Sequence, residues 1–132
     1  SGLPERQMTY VLLNADLVEA IHDAVLNPGE LAGRARDKSL DGALARVDNR
    51  LVYGMIEDVF DLAAAYCVAV ATGHVFNDAN KRTAYKTMIV CLHLNGLRIS
   101  HETVEAGDLI REVAQGRIDE ETLADWLRAK AG

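Results

Sequence analysis

Ten residues near the middle of the 132-residue chain, Gly73-His74-Val75-Phe76-Asn77-Asp78-Ala79-Asn80-Lys81-Arg82, bring together a base, an acid, two amides and two cations. Seven of the ten are polar or glycine, and apolar stretches flank them on both sides. Polar groups set against a core need partners, because each one left unsatisfied costs about 1–3 kcal/mol. A network or a ligand must therefore complete them. Histidine is the side chain that titrates near neutral pH, so His74 could take a proton from an attacking hydroxyl. Asp78 could hold a Mg²⁺ ion that bridges phosphate oxygens. Asn80, Lys81 and Arg82 open a helix, where unpaired amides and the positive end of the helix dipole favour an anion. Two cations at that end are unfavourable for the helix alone. A phosphate among them resolves the conflict. Phe76 reads as an anchor turned into the core.

Such a loop needs rigid elements on either side, and the chain reads as helical almost throughout. Asn14 can cap a first helix with Leu17, Val18, Ile21 and Val25 on one stripe. That helix should end near Asn27-Pro28-Gly29. Residues 29–38 are too many for a tight turn and too charged to be buried. Ser39 then caps a short helix with Leu40, Ala43, Leu44 and Val47 at i, i+3, i+4 and i+7. A third helix is expected over about residues 52–72. Its first half is amphipathic, with Glu57, Asp58 and Asp61 on a polar side, and residues 62–71 are apolar all round, which predicts a buried central helix. A fourth helix follows Asn80 and stops at Asn95-Gly96, a left-handed C-cap signal. Two terminal helices are expected, one over about residues 104–115 and one from an Asp119 cap that turns Leu123, Trp126 and Leu127 inward. Alternating strand patterns are missing, so the fold class is all-α. Residues 1–8 are set aside as a tail or an expression remnant, with Met8 a candidate natural start, and 9–132 are taken as one domain.

Composition narrows the function classes. The chain is 49% hydrophobic with a formal net charge of −6. Its longest apolar run, residues 62–71, is far short of the roughly 18 residues that span a bilayer. No basic stretch leading into an apolar segment opens the chain, so a secretory signal is not expected. The acidic balance and the few aromatics argue against direct nucleic-acid binding. Cys67 and Cys91 have no CxxC spacing and sit in apolar helical surroundings. They read as buried thiols, and the expected compartment is the reducing cytoplasm. His22, His93 and His101 show no ligand spacing and are read as structural or surface residues. No Walker A sequence exists, so any ATP must use the ten-residue stretch.

The series His74-x-Phe76-x-Asp78-Ala79-Asn80-Lys81-Arg82 resembles the signature of the Fic/Doc family, in its death-on-curing (Doc) toxin branch. The likeness extends to Leu40-Asp41-Gly42-Ala43-Leu44-Ala45-Arg46 and to Asn95-Gly96, and covers about residues 14–127. It implies a compact bundle of about six helices with a flap beside the motif loop. Residues 29–38 would be that flap, offering an edge to the substrate's backbone. Fic enzymes in the broad sense transfer AMP from ATP to a protein hydroxyl, with a motif ending Gly-Asn-Gly-Arg and a second arginine three residues on. Here Ala79 and Lys81 replace the two glycines and Tyr85 replaces the second arginine, as in the Doc branch.

That branch implies transfer of the γ-phosphate of ATP, with Mg²⁺, to a threonine of elongation factor Tu, which stops translation. By resemblance, His74 would be the general base and Asp78 the metal ligand or substrate orienter. Lys81 and Arg82 would stabilise transition-state charge, and Asn77, Ala79, Asn80, Lys81 and Arg82 would bind the nucleotide. The Ser/Thr-xxx-Glu-Gly/Asn inhibitory motif of many Fic proteins is missing. The resemblance therefore implies a separately encoded Phd-type antitoxin whose disordered tail folds in a groove on the toxin. An AMP-transferring Fic enzyme and a catalytically silent helical regulatory module are the alternatives.

Overall fold

Four short polar side chains decide where helices begin. Asn14, Ser39, Asp58 and Asp119 each accept the backbone N–H three residues ahead, from Leu17, Gly42, Asp61 and Thr122. Each thereby satisfies an amide that the helix itself leaves unpaired. The structure, a computed structural model, describes residues 9–131, so the expected tail of residues 1–8 lies outside the described residues. Among the described residues six helices follow one another: α1 Ala15–Val25, α2 Leu40–Val52, α3 Val59–Gly73, α4 Asn80–Leu94, α5 Thr103–Ala114 and α6 Glu120–Lys130. Extended structure is confined to two isolated antiparallel bridges, Arg34 with Phe76 and Ile99 with Ala131. The all-α expectation holds.

The third helix differs from its expected span. Residues 53–58 are not helical: α2 runs on through Val52, and Tyr53 closes it by donating to Asn49 O. Gly54 adopts a φ of +69°, a left-handed turn that glycine enters at little cost, and Met55 N–H returns to Arg50 O at 2.9 Å. Asp58 then caps a new helix instead of lying on a polar face. Periodicity alone blurs two helices into one here, because the polar residues of the turn fall in helical phase.

α3 is the centre. Leu62 to Cys67 and Ala69 to Ala71 are buried, and the helix packs against α4, α6, α2 and α5. Five alanines on it let neighbouring helices approach closely. α1 lies across α4 and α2. Arg128 of α6 braces the start of α3 with bonds to Asp58 at 3.0 Å and Asp61 at 2.7 Å. Tyr66, buried in α3, accepts Leu13 N–H at 2.9 Å and so fixes the chain entering α1; burial pushes its hydroxyl up to about 12. The consequence for function is the short link from α3 to α4. Its ends are held by the two central helices, and it opens at their edge.

Candidate active site

His74 stands where α3 stops. It takes a left-handed conformation, φ 49°, as the C-cap, and its side chain is exposed at the mouth of a cavity of about 650 Å³. Val75 and Phe76 turn inward and are buried. Asn80, the first residue of α4, then closes the loop on itself. Its Oδ1 accepts Phe76 N–H at 3.0 Å while its Nδ2 donates to Phe76 O at 2.9 Å. One side-chain amide thus satisfies both backbone groups of the anchor.

The helix start that follows is unusual. Ala79 is its cap residue, in the left-handed region at φ 63°, and it offers no side-chain hydrogen bond. A left-handed alanine costs roughly 1–2 kcal/mol relative to an ordinary conformation. Thr83 holds the turn by donating both its N–H, at 2.9 Å, and its hydroxyl, at 2.7 Å, to Ala79 O. The amides of the first turn lack a side-chain acceptor, and Lys81 is exposed beside them on the cavity wall without an ion pair among the described residues. An uncapped helix start with an unpaired cation beside it could receive an anion.

The flap, residues 29–38, is knitted to this loop. Ala35 N–H reaches Val75 O at 2.8 Å and Asn77 N–H reaches Gly33 O at 3.2 Å. The Asn77 side-chain amide also donates to Ala32 O at 3.1 Å, so its hydrogens serve the flap. Asp78 accepts Leu31 N–H on Oδ2 at 2.8 Å; among the described residues that is the hydrogen bond its carboxylate carries. No group of three or more His, Cys, Asp or Glu that could cage a metal occurs among the described residues. Asp78 could hold Mg²⁺, which commonly binds through one or two carboxylates with phosphate oxygens and water completing the shell.

Arg82 does not stand free beside Lys81. Its guanidinium donates through both terminal nitrogens to the Glu30 carboxylate, and Nη1 also reaches Val25 O at the end of α1. The Arg82 hydrogen bonds, and after them the Asn27 N–H, hold the Glu30 carboxyl below the usual carboxylate range. The cation expected at the phosphate is therefore latched to the flap in this state. Of the residues singled out from sequence, His74, Asn77, Asp78, Ala79, Asn80, Lys81 and Arg82 all line the one cavity. Their free hydrogen-bonding capacity lies at His74, Asp78 Oδ1, Lys81 and the first amides of α4.

Several wall residues escape the sequence reading. The far side of the cavity is formed by Tyr85 and His101 and by Ala106, Gly107 and Ile110 of α5. His101 Nδ1 lies 2.9 Å from Glu102 O, so that nitrogen carries hydrogen and Nε2 accepts the Tyr85 hydroxyl at 2.8 Å. Towards the cavity the pair keeps oxygen lone pairs but no free donor. Thr103 and Arg111 of α5 line the same wall, with Arg111 donating to Asp108 at 3.0 Å. Gly107 is a helix-interior glycine whose missing Cβ would meet nothing within 4 Å, so it leaves cavity space open. Glu30 carries no sequence signal, whereas His22 does: it falls on the apolar stripe of α1, next to Ile21, where an imidazole must be buried.

The comparisons with known proteins agree with one another. The family model described as the Fic/DOC family matches residues 12–92. The protein named Protein kinase doc, from Escherichia phage P1, is 39% identical over 114 residues, which cover 86% of this chain and 90% of that protein. Toxin Doc of Mycolicibacterium smegmatis is 34% identical over 125 residues, 91% of this chain and 92% of that one.

Proposed function

The chain belongs to the Fic/Doc family, and from that premise we propose that it is a Doc-type toxin. It moves the γ-phosphate of ATP to a threonine hydroxyl of a translation factor, elongation factor Tu, and so arrests translation in the cytoplasm. The observation that supports this most is the meeting of exposed His74 and an uncapped, lysine-bearing helix start on one cavity.

The chemistry follows from those positions. His74 accepts the hydroxyl proton as the oxygen attacks the γ-phosphorus. The new O–P bond forms, the bond to the β–γ bridging oxygen breaks, and its electron pair leaves with ADP. The first amides of α4 and Lys81 answer charge on the transferring group, the largest contribution in reactions of this kind. Arg82 joins them when Glu30 releases it. Asn80, through its grip on Phe76, and Ala79, through its left-handed turn, keep the amides aimed at the cavity. Mg²⁺ held at Asp78 would neutralise phosphate charge.

Control belongs to an antitoxin of the Phd type, made as a separate chain, whose tail folds on the toxin. The test supplies the purified chain with elongation factor Tu, Mg²⁺ and ATP labelled at the α or the γ phosphate. Label from the γ position, lost in His74→Ala, is the expected result. Label from the α position would make this an AMP transferase, and label from neither, with ATP still bound, would make it a silent module.

A further inference from the structure

His22 of α1 has no solvent exposure, lies outside the motif, and touches it twice. Its ring stacks on Phe76 with centroids 3.9 Å apart and planes 6° from parallel. Its Nε2 lies 2.8 Å from the backbone oxygen of Asp78. A carbonyl oxygen only accepts, so Nε2 carries the hydrogen and the bond is N–H to O=C. Nδ1 finds no hydrogen-bond partner among the described residues; Asp23 Oδ1 stands 3.4 Å away. A buried imidazole with one nitrogen unsatisfied is a poor choice for packing alone, since an aromatic hydrocarbon would stack on Phe76 equally well.

The bonded carbonyl explains the choice. It belongs to the peptide joining Asp78 to Ala79, whose conformation is the left-handed one that opens α4. Rotation of that peptide would let Ala79 relax to negative φ, swing the first amides of α4 away from the cavity and redirect the Asp78 carboxylate. We infer that His22 is a positioning residue for the transfer reaction. By holding the Asp78 carbonyl it fixes this peptide plane, and through it the anion site and the carboxylate. The kinetic part of the inference rests on the phosphotransfer reading above; the hold on the loop does not.

Two variants of the full chain separate the bond from the stack. His22→Phe keeps a ring on Phe76 and removes the donor, whereas His22→Gln keeps an N–H donor and removes the ring. Positioning through the bond predicts a kcat at least tenfold lower in His22→Phe, largely restored in His22→Gln. A packing role predicts the reverse order and would overturn the inference. Amide hydrogen exchange supplies a readout free of activity. In His22→Phe, Leu31 N–H, held by the Asp78 carboxylate, and Thr83 N–H, held by Ala79 O, should exchange at least tenfold faster, while amides inside α3 keep their wild-type rates. Should the wild-type chain transfer no γ-phosphate, the functional reading fails and exchange alone decides. Unchanged protection at Leu31 and Thr83 in His22→Phe would then overturn the positioning role.

Discussion

The two central helices begin in opposite ways. At the start of α3, Asp58 caps the helix, Asp61 follows in the first turn, and Arg128 ties both carboxylates to α6. Every charge there suits the helix dipole or is paired. At the start of α4, a left-handed alanine offers no cap and the first turn carries Lys81 and Arg82. The first arrangement lowers the free energy of the folded chain unaided. The second raises it, and would become favourable with an anion beside it. The same elementary electrostatics thus separates scaffold from site.

Substitutions can widen or collapse this difference. The largest effect is expected from His74→Ala, beside the strained start: γ-phosphate transfer should fall at least a hundredfold, since a positioned base contributes about 10²–10⁴. Its urea midpoint should stay at the wild-type value, which would confirm that the site adds nothing to the scaffold. Lys81→Glu makes the start of α4 resemble that of α3. ATP binding by calorimetry should weaken about tenfold, as expected for a lost charge-assisted phosphate contact, while stability rises by a few tenths of a kcal/mol. A variant that binds ATP normally would erase the contrast.

Asp58→Ala attacks the other start. Burial works to raise the Asp58 carboxyl, but bonds from Arg128 and the Asp61 amide hold it below its ordinary value. Losing a cap of this kind costs about 1 kcal/mol, read by urea unfolding, with transfer per folded molecule unchanged. The smallest effect is expected from Glu30→Gln, which releases Arg82. ATP should bind about threefold tighter, the scale of an exposed ion pair. Because the Glu30 carboxyl is held low in the folded chain, the latch is present above the ordinary carboxylate value and lost as pH falls through the depressed one. ATP affinities of wild type and Glu30→Gln should therefore keep a constant ratio between about pH 5 and 8 and converge only in stronger acid. Divergence near neutrality would show that another group works the latch.

Legibility follows the same division. Caps, stripes and the buried run of α3 are local patterns with a period, so Asn14, Ser39, Asp119 and residues 62–71 announce themselves. The turn at 53–58 does not, because Asp58 falls in phase with the helix it begins. The motif residues declare their chemistry through type and order, yet their partners come from distant segments. Nothing local shows that Glu30 meets Arg82 or that Tyr85 meets His101. Nor does it show that the Asn80 amide closes on Phe76 and leaves the backbone to face a ligand. His22 is intermediate: its place on the α1 stripe shows burial, but the carbonyl it holds lies 56 residues away.

Cys67 and Cys91 sit on α3 and α4, the helices between which the motif loop is strung, and burial pushes both thiols up to about 12. A buried thiol shifted in that direction offers little reactive thiolate at neutral pH. An alkylating reagent must then wait for the core around them to open. The molecule therefore carries a clock. The rate of thiol capture counts openings of the core beneath the loop, and any ligand or partner that stabilises that core should slow its tick.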